Sequence, residues 1–84
     1  MKTAAKQFGV FLRDKRTARK LTQKNVSDKL GYGSPQFISN IERGIGKPPV
    51  KSLREFCSIY GITTLEMKQK YLEVKHEEVE GIFK

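Results

Sequence analysis

Three glycine-bearing breaks divide the chain, and every segment between them has the periodicity of a helix. The breaks are Gly31-Tyr32-Gly33, the run Gly44-Ile45-Gly46-Lys47-Pro48-Pro49, and Gly61. Such clusters end regular structure, because glycine opens left-handed backbone and proline removes a hydrogen-bond donor. None of the intervening segments shows the apolar/polar alternation that a half-buried strand needs. The spacing predicts an all-α domain of short helices with tight connections.

The first segment, from about Thr3 to Lys20, carries Phe8, Phe11 and Leu12 at i, i+3 and i+4, a single apolar stripe. The second starts at Thr22, whose side chain can accept a hydrogen bond from a free N–H of the first turn. Leu21 and Val26 have the spacing of a hydrophobic staple, and Gly31 is a left-handed stop after Leu30. The third is predicted to start at Ser34 as N-cap, with Pro35 in the first helical position, and to run to Arg43. Its Ile38 and Ile41 face inward; Gln36, Ser39, Asn40 and Arg43 face largely outward. The fourth begins near Pro49 or Val50 and ends at Tyr60, with Leu53, Phe56, Cys57 and Tyr60 on one face. The fifth opens on Thr63, with Glu66 three residues later completing a capping box, and runs to about Glu80, before Gly81.

The chain has 84 residues, room for one small core, and its charge is lopsided. Seventeen Lys and Arg stand against nine Asp and Glu, a net charge of +8. Nine of the basic residues and only two acids fall within residues 1–30, whereas residues 61–84 hold four Lys against five Glu. A body this basic favours a polyanion, and the balanced tail suits solvent or a protein partner. No apolar run approaches the roughly 18 residues of a membrane span, so no membrane is expected as a partner. Met1 to Val10 lack the apolar stretch and cleavage site of a signal peptide, so the expected location is cytoplasmic. Cys57 is the single cysteine, which excludes an internal disulfide and is read as a small core side chain. His76 stands among glutamates, with no metal site expected around it. No Ser/His/Asp or Cys/His arrangement, paired carboxylate or glycine-rich phosphate loop is visible. The expectation is therefore no enzyme, no cofactor and no small-molecule substrate.

Two short helices, Gln23–Leu30 and Pro35–Arg43, joined by a tight glycine-containing turn, make a helix-turn-helix arrangement. The run Leu21-Thr22-Gln23, Val26-Ser27, Leu30-Gly31 and Ile38-Ser39-Asn40-Ile41-Glu42-Arg43-Gly44, followed by Pro48, Leu53 and Gly61-Ile62, resembles the xenobiotic-response-element (Cro/phage repressor type) helix-turn-helix family. The resemblance covers about residues 6–66. It implies a five-helix, lambda-repressor-like DNA-binding domain over residues 1–66, with residues 67–84 as a C-terminal helical extension that serves dimerisation.

The resemblance also implies roles. The second helix would lie across the DNA backbone and the third would enter the major groove. Gln36 and Asn40, one turn apart, would read bases, since amide side chains pair bidentately with adenine. Pro35 and Ser39 fill neighbouring recognition positions, and Phe37 is either core or a thymine-methyl contact. Gln23, Thr22, Lys24, Ser34, Arg43 and Lys47 would meet phosphates. Arg16 and Glu42 match positions that pair inside the domain as a structural ion pair. One departure stands out: the turn Gly31-Tyr32-Gly33-Ser34 is one residue longer than the commonest form. That either tilts the recognition helix or shifts which side chains reach bases.

In the tail, Leu65, Leu72 and Val79 repeat every seven residues, with Met67, Tyr71 and Val74 in a second stripe. One stripe can cover the core and the other can meet a partner; Lys68 and Lys75 at intervening seam positions argue against a long coiled coil. The expected function is a sequence-specific transcriptional regulator, a repressor, binding double-stranded DNA as a homodimer through Leu72, Val79, Ile82 and Phe83. The alternative is an antitoxin or adaptor that uses the same scaffold to bind a protein partner through the C-terminal helix.

Overall fold

The computed structural model describes residues 3–84, whose regular structure is all helical, without strands. The order is α1 (Ala4–Ala18), α2 (Gln23–Leu30), α3 (Gln36–Glu42), a single 3-10 turn (Val50–Ser52), α4 (Leu53–Tyr60) and α5 (Thr64–Ile82). No helix among the described residues is long and apolar enough to cross a membrane.

Three of the helices, α1, α2 and α5, start where a side chain replaces a missing backbone partner. Thr3, Thr22 and Thr63 each accept from the N–H three residues on, belonging to Lys6, Asn25 and Glu66. At α2 the cap is reciprocal: Asn25 Oδ1 accepts from the Thr22 N–H at 2.9 Å, an asparagine in the place usually taken by Glu or Gln.

Several boundaries differ from the sequence expectation. α1 stops at Ala18 because Lys20 takes left-handed backbone, φ 57°, without being a glycine. α3 begins at Gln36, with Pro35 rather than Ser34 in the capping position; Ser34 Oγ still accepts from the Gln36 N–H at 3.4 Å. The stretch expected to open the fourth helix is instead the 3-10 turn. α5 passes through Gly81 to Ile82, because Gly81 does not adopt the positive φ that makes Gly31, Gly44 and Gly61 terminate a segment.

One core joins all five helices. Phe8, Leu12, Val26, Ile38, Ile41, Phe56, Tyr60, Ile62, Met67, Tyr71 and Val74 are buried together. Phe8 meets Tyr71 edge-on at 6.1 Å, which ties α1 to α5, and the Tyr71 hydroxyl donates to the Pro48 carbonyl at 2.9 Å. α5 is therefore continuous across residues 66 and 67, and its Met67, Tyr71 and Val74 belong to the core of the preceding helices. Of the two stripes on α5, this one covers the domain. Leu65, Leu72 and Val79 stay exposed, as do Ile82 and Phe83 beyond them.

Gly9 sets how closely α1 and α3 approach. A Cβ there would come within 2.7 Å of the Ile41 carbonyl oxygen and closer still to that of Glu42. The end of α3 lies directly on the backbone of α1, a contact open only to glycine.

Candidate nucleic-acid interface

The connection between α2 and α3 is built from backbone geometry and one buried hydroxyl. Gly31, at φ 83°, lets the chain reverse, and the N–H groups of Gly31 and Tyr32 donate back to the carbonyls of Asp28 and Ser27. That pair of bonds satisfies the free carbonyls at the end of α2. Ser27, fully buried, donates its hydroxyl to the Ser34 carbonyl at 2.6 Å, with the Tyr32 carbonyl at 3.4 Å. An aromatic pair packs beside the turn: the Tyr32 and Phe37 rings lie 4.7 Å apart at 57°. Phe37 is half-buried against Tyr32 and the edge of the core, so its ring serves the turn.

α3 has two faces of opposite character. Ile38 and Ile41 are fully buried, whereas Gln36 and Arg43 are exposed and Ser39, Asn40 and Pro35 are half-buried. On the outer face Gln36 Nε2 donates to Asn40 Oδ1 at 2.9 Å, and Arg43 Nη2 donates to the same oxygen at 2.7 Å. Two side chains of α3 and that of its C-cap, Arg43, thus form a ladder along the helix. The Asn40 oxygen is occupied by two donors, while among the described residues its own amide N–H groups, and an acceptor and second N–H of Gln36, have no partner. A polar row with both donors and acceptors suits base edges in the major groove.

The inner end of α3 is held by charge. Arg16 grips Glu42 bidentately, Nε to Oε2 at 2.7 Å and Nη2 to Oε1 at 2.9 Å, and Arg16 Nη1 donates to the Leu21 carbonyl at 2.8 Å. The Glu42 side chain is only 2% exposed. Gln23 Nε2 donates to Glu42 Oε1 at 3.2 Å, and the Tyr60 hydroxyl donates to Oε2 at 3.4 Å. Burial and the adjacent Glu42 carboxylate hold the Tyr60 phenol protonated, well above its usual range. The guanidinium of Arg16, hydrogen-bonded to Glu42, is held more firmly charged than usual. One carboxylate at the end of α3 is shared by donors from α1, α2 and α4.

The residues expected at phosphates are less uniform than the sequence suggests. Gln23 is turned to Glu42, which leaves one amide N–H beside the start of α2. Thr22 accepts its cap bond and keeps a hydroxyl proton to donate. Lys24 is exposed but bridges Asp28 at 3.1 Å. Ser34 and Arg43 are exposed at the two ends of α3. Lys47 is drawn away: its Nζ sits 2.6 Å from Glu78 Oε2, with Oε1 beside it, pinning the loop after α3 to α5. The pairing raises the pKa of Lys47 and lowers that of Glu78.

Several contributors were not legible as such. Ser27 and Tyr60 are unremarkable in sequence, and Glu78 lies 31 positions from Lys47. Gly9 did carry a signal, since a glycine inside an amphipathic helix is unfavourable unless packing requires it. Cys57 is half-buried beside Leu53 and Met67 in a shallow groove between α4 and α5, and burial pushes its thiol up.

A family model described as Helix-turn-helix matches residues 12–67. No curated protein matches the chain.

Proposed function

Because the chain belongs to the Cro/C1-type helix-turn-helix family, the xenobiotic-response-element type associated with DNA-binding regulators, we propose that it is a sequence-specific transcriptional repressor acting as a homodimer in the cytoplasm. The observation that carries this reading is the Gln36–Asn40–Arg43 ladder on the solvent face of a helix whose other face is anchored in the core. In this reading Gln36 and Asn40 contact base edges, with Ser39 and Pro35 beside them. Thr22, Gln23, Lys24, Ser34 and Arg43 contact phosphates on either side. Phe37 contributes by holding the turn rather than by touching a thymine. Arg16 and Glu42 orient α3 and have no catalytic role. The exposed Leu72, Val79, Ile82 and Phe83 supply the dimer contact, and occupancy of an operator would exclude polymerase.

The experiment is selection from a random duplex pool, followed by binding of the selected operator over a salt series. Affinity should fall steeply with salt, as phosphate contacts require. Gln36→Ala combined with Asn40→Ala should lower affinity for the operator by about 1–3 kcal/mol per lost base contact while leaving non-specific binding nearly unchanged. A double variant that selects the same operator with the same preference would refute the base-reading assignment.

Lys47 is the phosphate candidate whose use requires a change of partner. Glu78→Gln removes its counter-charge, so the variant should bind DNA more tightly at low salt. The log–log salt slope should steepen by about 0.9, the value for one added phosphate contact. Filter binding or fluorescence anisotropy across the salt range measures both; an unchanged slope would show that Lys47 makes no phosphate contact.

The same exposed apolar residues on α5 would also suit a different protein, as in an antitoxin or adaptor. Selection that yields no preferred duplex would turn the reading toward that alternative.

A further inference from the structure

The exposed face of α5 has a specific charge order. Met67, Tyr71 and Val74 turn into the core, and at 3.6 residues per turn the residues on roughly the opposite side are Leu65, Gln69, Leu72, His76, Val79 and Phe83. Leu65 and Leu72 are 64% exposed, Val79 53% and Phe83 82%. These six occupy alternate seam positions of a heptad repeat, with Leu65, Leu72 and Val79 at d and Gln69, His76 and Phe83 at a. The fold sets this register. Lys68 is turned toward α4, where it borders the groove beside Lys51 and Arg54, and Lys75 leans toward Glu78. Both lysines therefore flank the seam at g. The opposite flank, position e, is occupied by Glu66, Glu73 and Glu80.

The geometry points to a parallel pairing of α5 with α5 of a second copy of this chain, in the register Leu65 to Leu65 and Leu72 to Leu72. This rests on the homodimer reading above and adds its orientation and the residues that choose it. In a parallel pair the g residue of one helix faces the e residue five positions on in its partner. Lys68 then meets Glu73 of the other copy, and Lys75 meets Glu80, twice over by symmetry. In an antiparallel pair g faces g and e faces e, so lysines meet lysines and glutamates meet glutamates. Like charges suppress the wrong arrangement more strongly than exposed ion pairs reward the right one. The weak existing contacts, Lys75 to Glu78 and His76 to Glu80 at 3.9 and 3.8 Å, are at the surface and can be exchanged. The partner approaches the side of α5 remote from the core, so no helix of the domain has to move. Gln69 and His76 at the seam cost stability and favour a single register. With only 19 residues in α5, the pair is weak and depends on concentration.

The test uses the full chain with Cys57→Ser, so that introduced thiols are the only ones. Leu65→Cys should form a disulfide-linked dimer under mild oxidation, with and without operator duplex. An antiparallel pair stacks a against d, which sets residue 65 opposite residue 83, and would link Leu65→Cys only when mixed with Phe83→Cys. Lys68→Glu with Lys75→Glu should raise the dimer dissociation constant at least tenfold in sedimentation. Mixing that variant with Glu73→Lys/Glu80→Lys should restore a dimer, now mixed. A 65–83 link, or a dimer insensitive to these charges, overturns the parallel pairing and leaves the homodimer standing. A monomer bound specifically to DNA overturns both and leaves DNA recognition intact.

Discussion

Replacing Glu42 with Ala is expected to remove a large part of the stability of the fold. The substitution leaves the Arg16 guanidinium, whose side chain is 12% exposed, without its carboxylate, and strips Gln23 and Tyr60 of their acceptor. Breaking a buried ion pair from one side costs about 3–5 kcal/mol, because the remaining charge is left desolvated. A chain of 84 residues has of order 4–13 kcal/mol of total stability at ~0.05–0.15 kcal/mol per residue. A loss of that size should lower the thermal midpoint by at least about 12 °C, at ~4–8 °C per kcal/mol for a domain this small. Circular dichroism melts of Glu42→Ala, Arg16→Ala and the double variant measure it. The double variant should be less destabilised than the sum of the singles, since it leaves no unpaired charge. A midpoint within about 2 °C of the parent would show that the network carries little of the stability.

Gly9→Ala is expected to destabilise the protein even though it improves the helix. Alanine is favoured over glycine inside a helix by about 1 kcal/mol, so propensity alone predicts a gain. Packing opposes it, because the new methyl would overlap the backbone carbonyls of Ile41 and Glu42. Overpacking costs about 1–3 kcal/mol where side chains can adjust, and here the obstacle is backbone, so the upper end or beyond applies. The net expectation is a loss of about 2 kcal/mol or more, with α3 pushed away from α1. Chemical denaturation measures the first, and a drop in operator affinity beyond that explained by unfolding measures the second. A variant more stable than the parent would mean that α1 slides to admit the methyl.

The parts of this fold legible in the sequence are those fixed by near neighbours. Thr22 and Gly31 bracket α2 because a cap and a left-handed stop act within one turn. The inward Ile38 and Ile41 and outward Gln36 and Asn40 follow from the helical period alone. What sequence could not supply depends on choices between local alternatives or on distant partners. Gly81 can stop a helix or continue it, and continues it. Lys20 ends α1 in a conformation that sequence assigns to glycine. Asn25 completes a cap in which Glu or Gln is the usual sign. The commitments of Gln23 to Glu42 and of Lys47 to Glu78 span 19 and 31 positions, and only the assembled helices bring them together. The heptad in α5 was visible, but sequence placed Lys68 and Lys75 in its seam, whereas burial of Met67, Tyr71 and Val74 puts Gln69 and His76 opposite the core instead.

The carboxylate shared among four helices has a consequence for how lesions in this protein would show themselves. α3 has only seven residues, too few to persist alone, and its last residue is the hub of that network. It has no route to loosen while the remainder of the domain stays ordered. On the proposed DNA-binding reading, damage at Arg16 or Tyr60 would therefore leave operator preference intact at low temperature and abolish binding on warming. Heat-sensitive alleles belong to the interior of this chain and altered-specificity alleles to its outer row, a genetic division that follows from where one glutamate is buried.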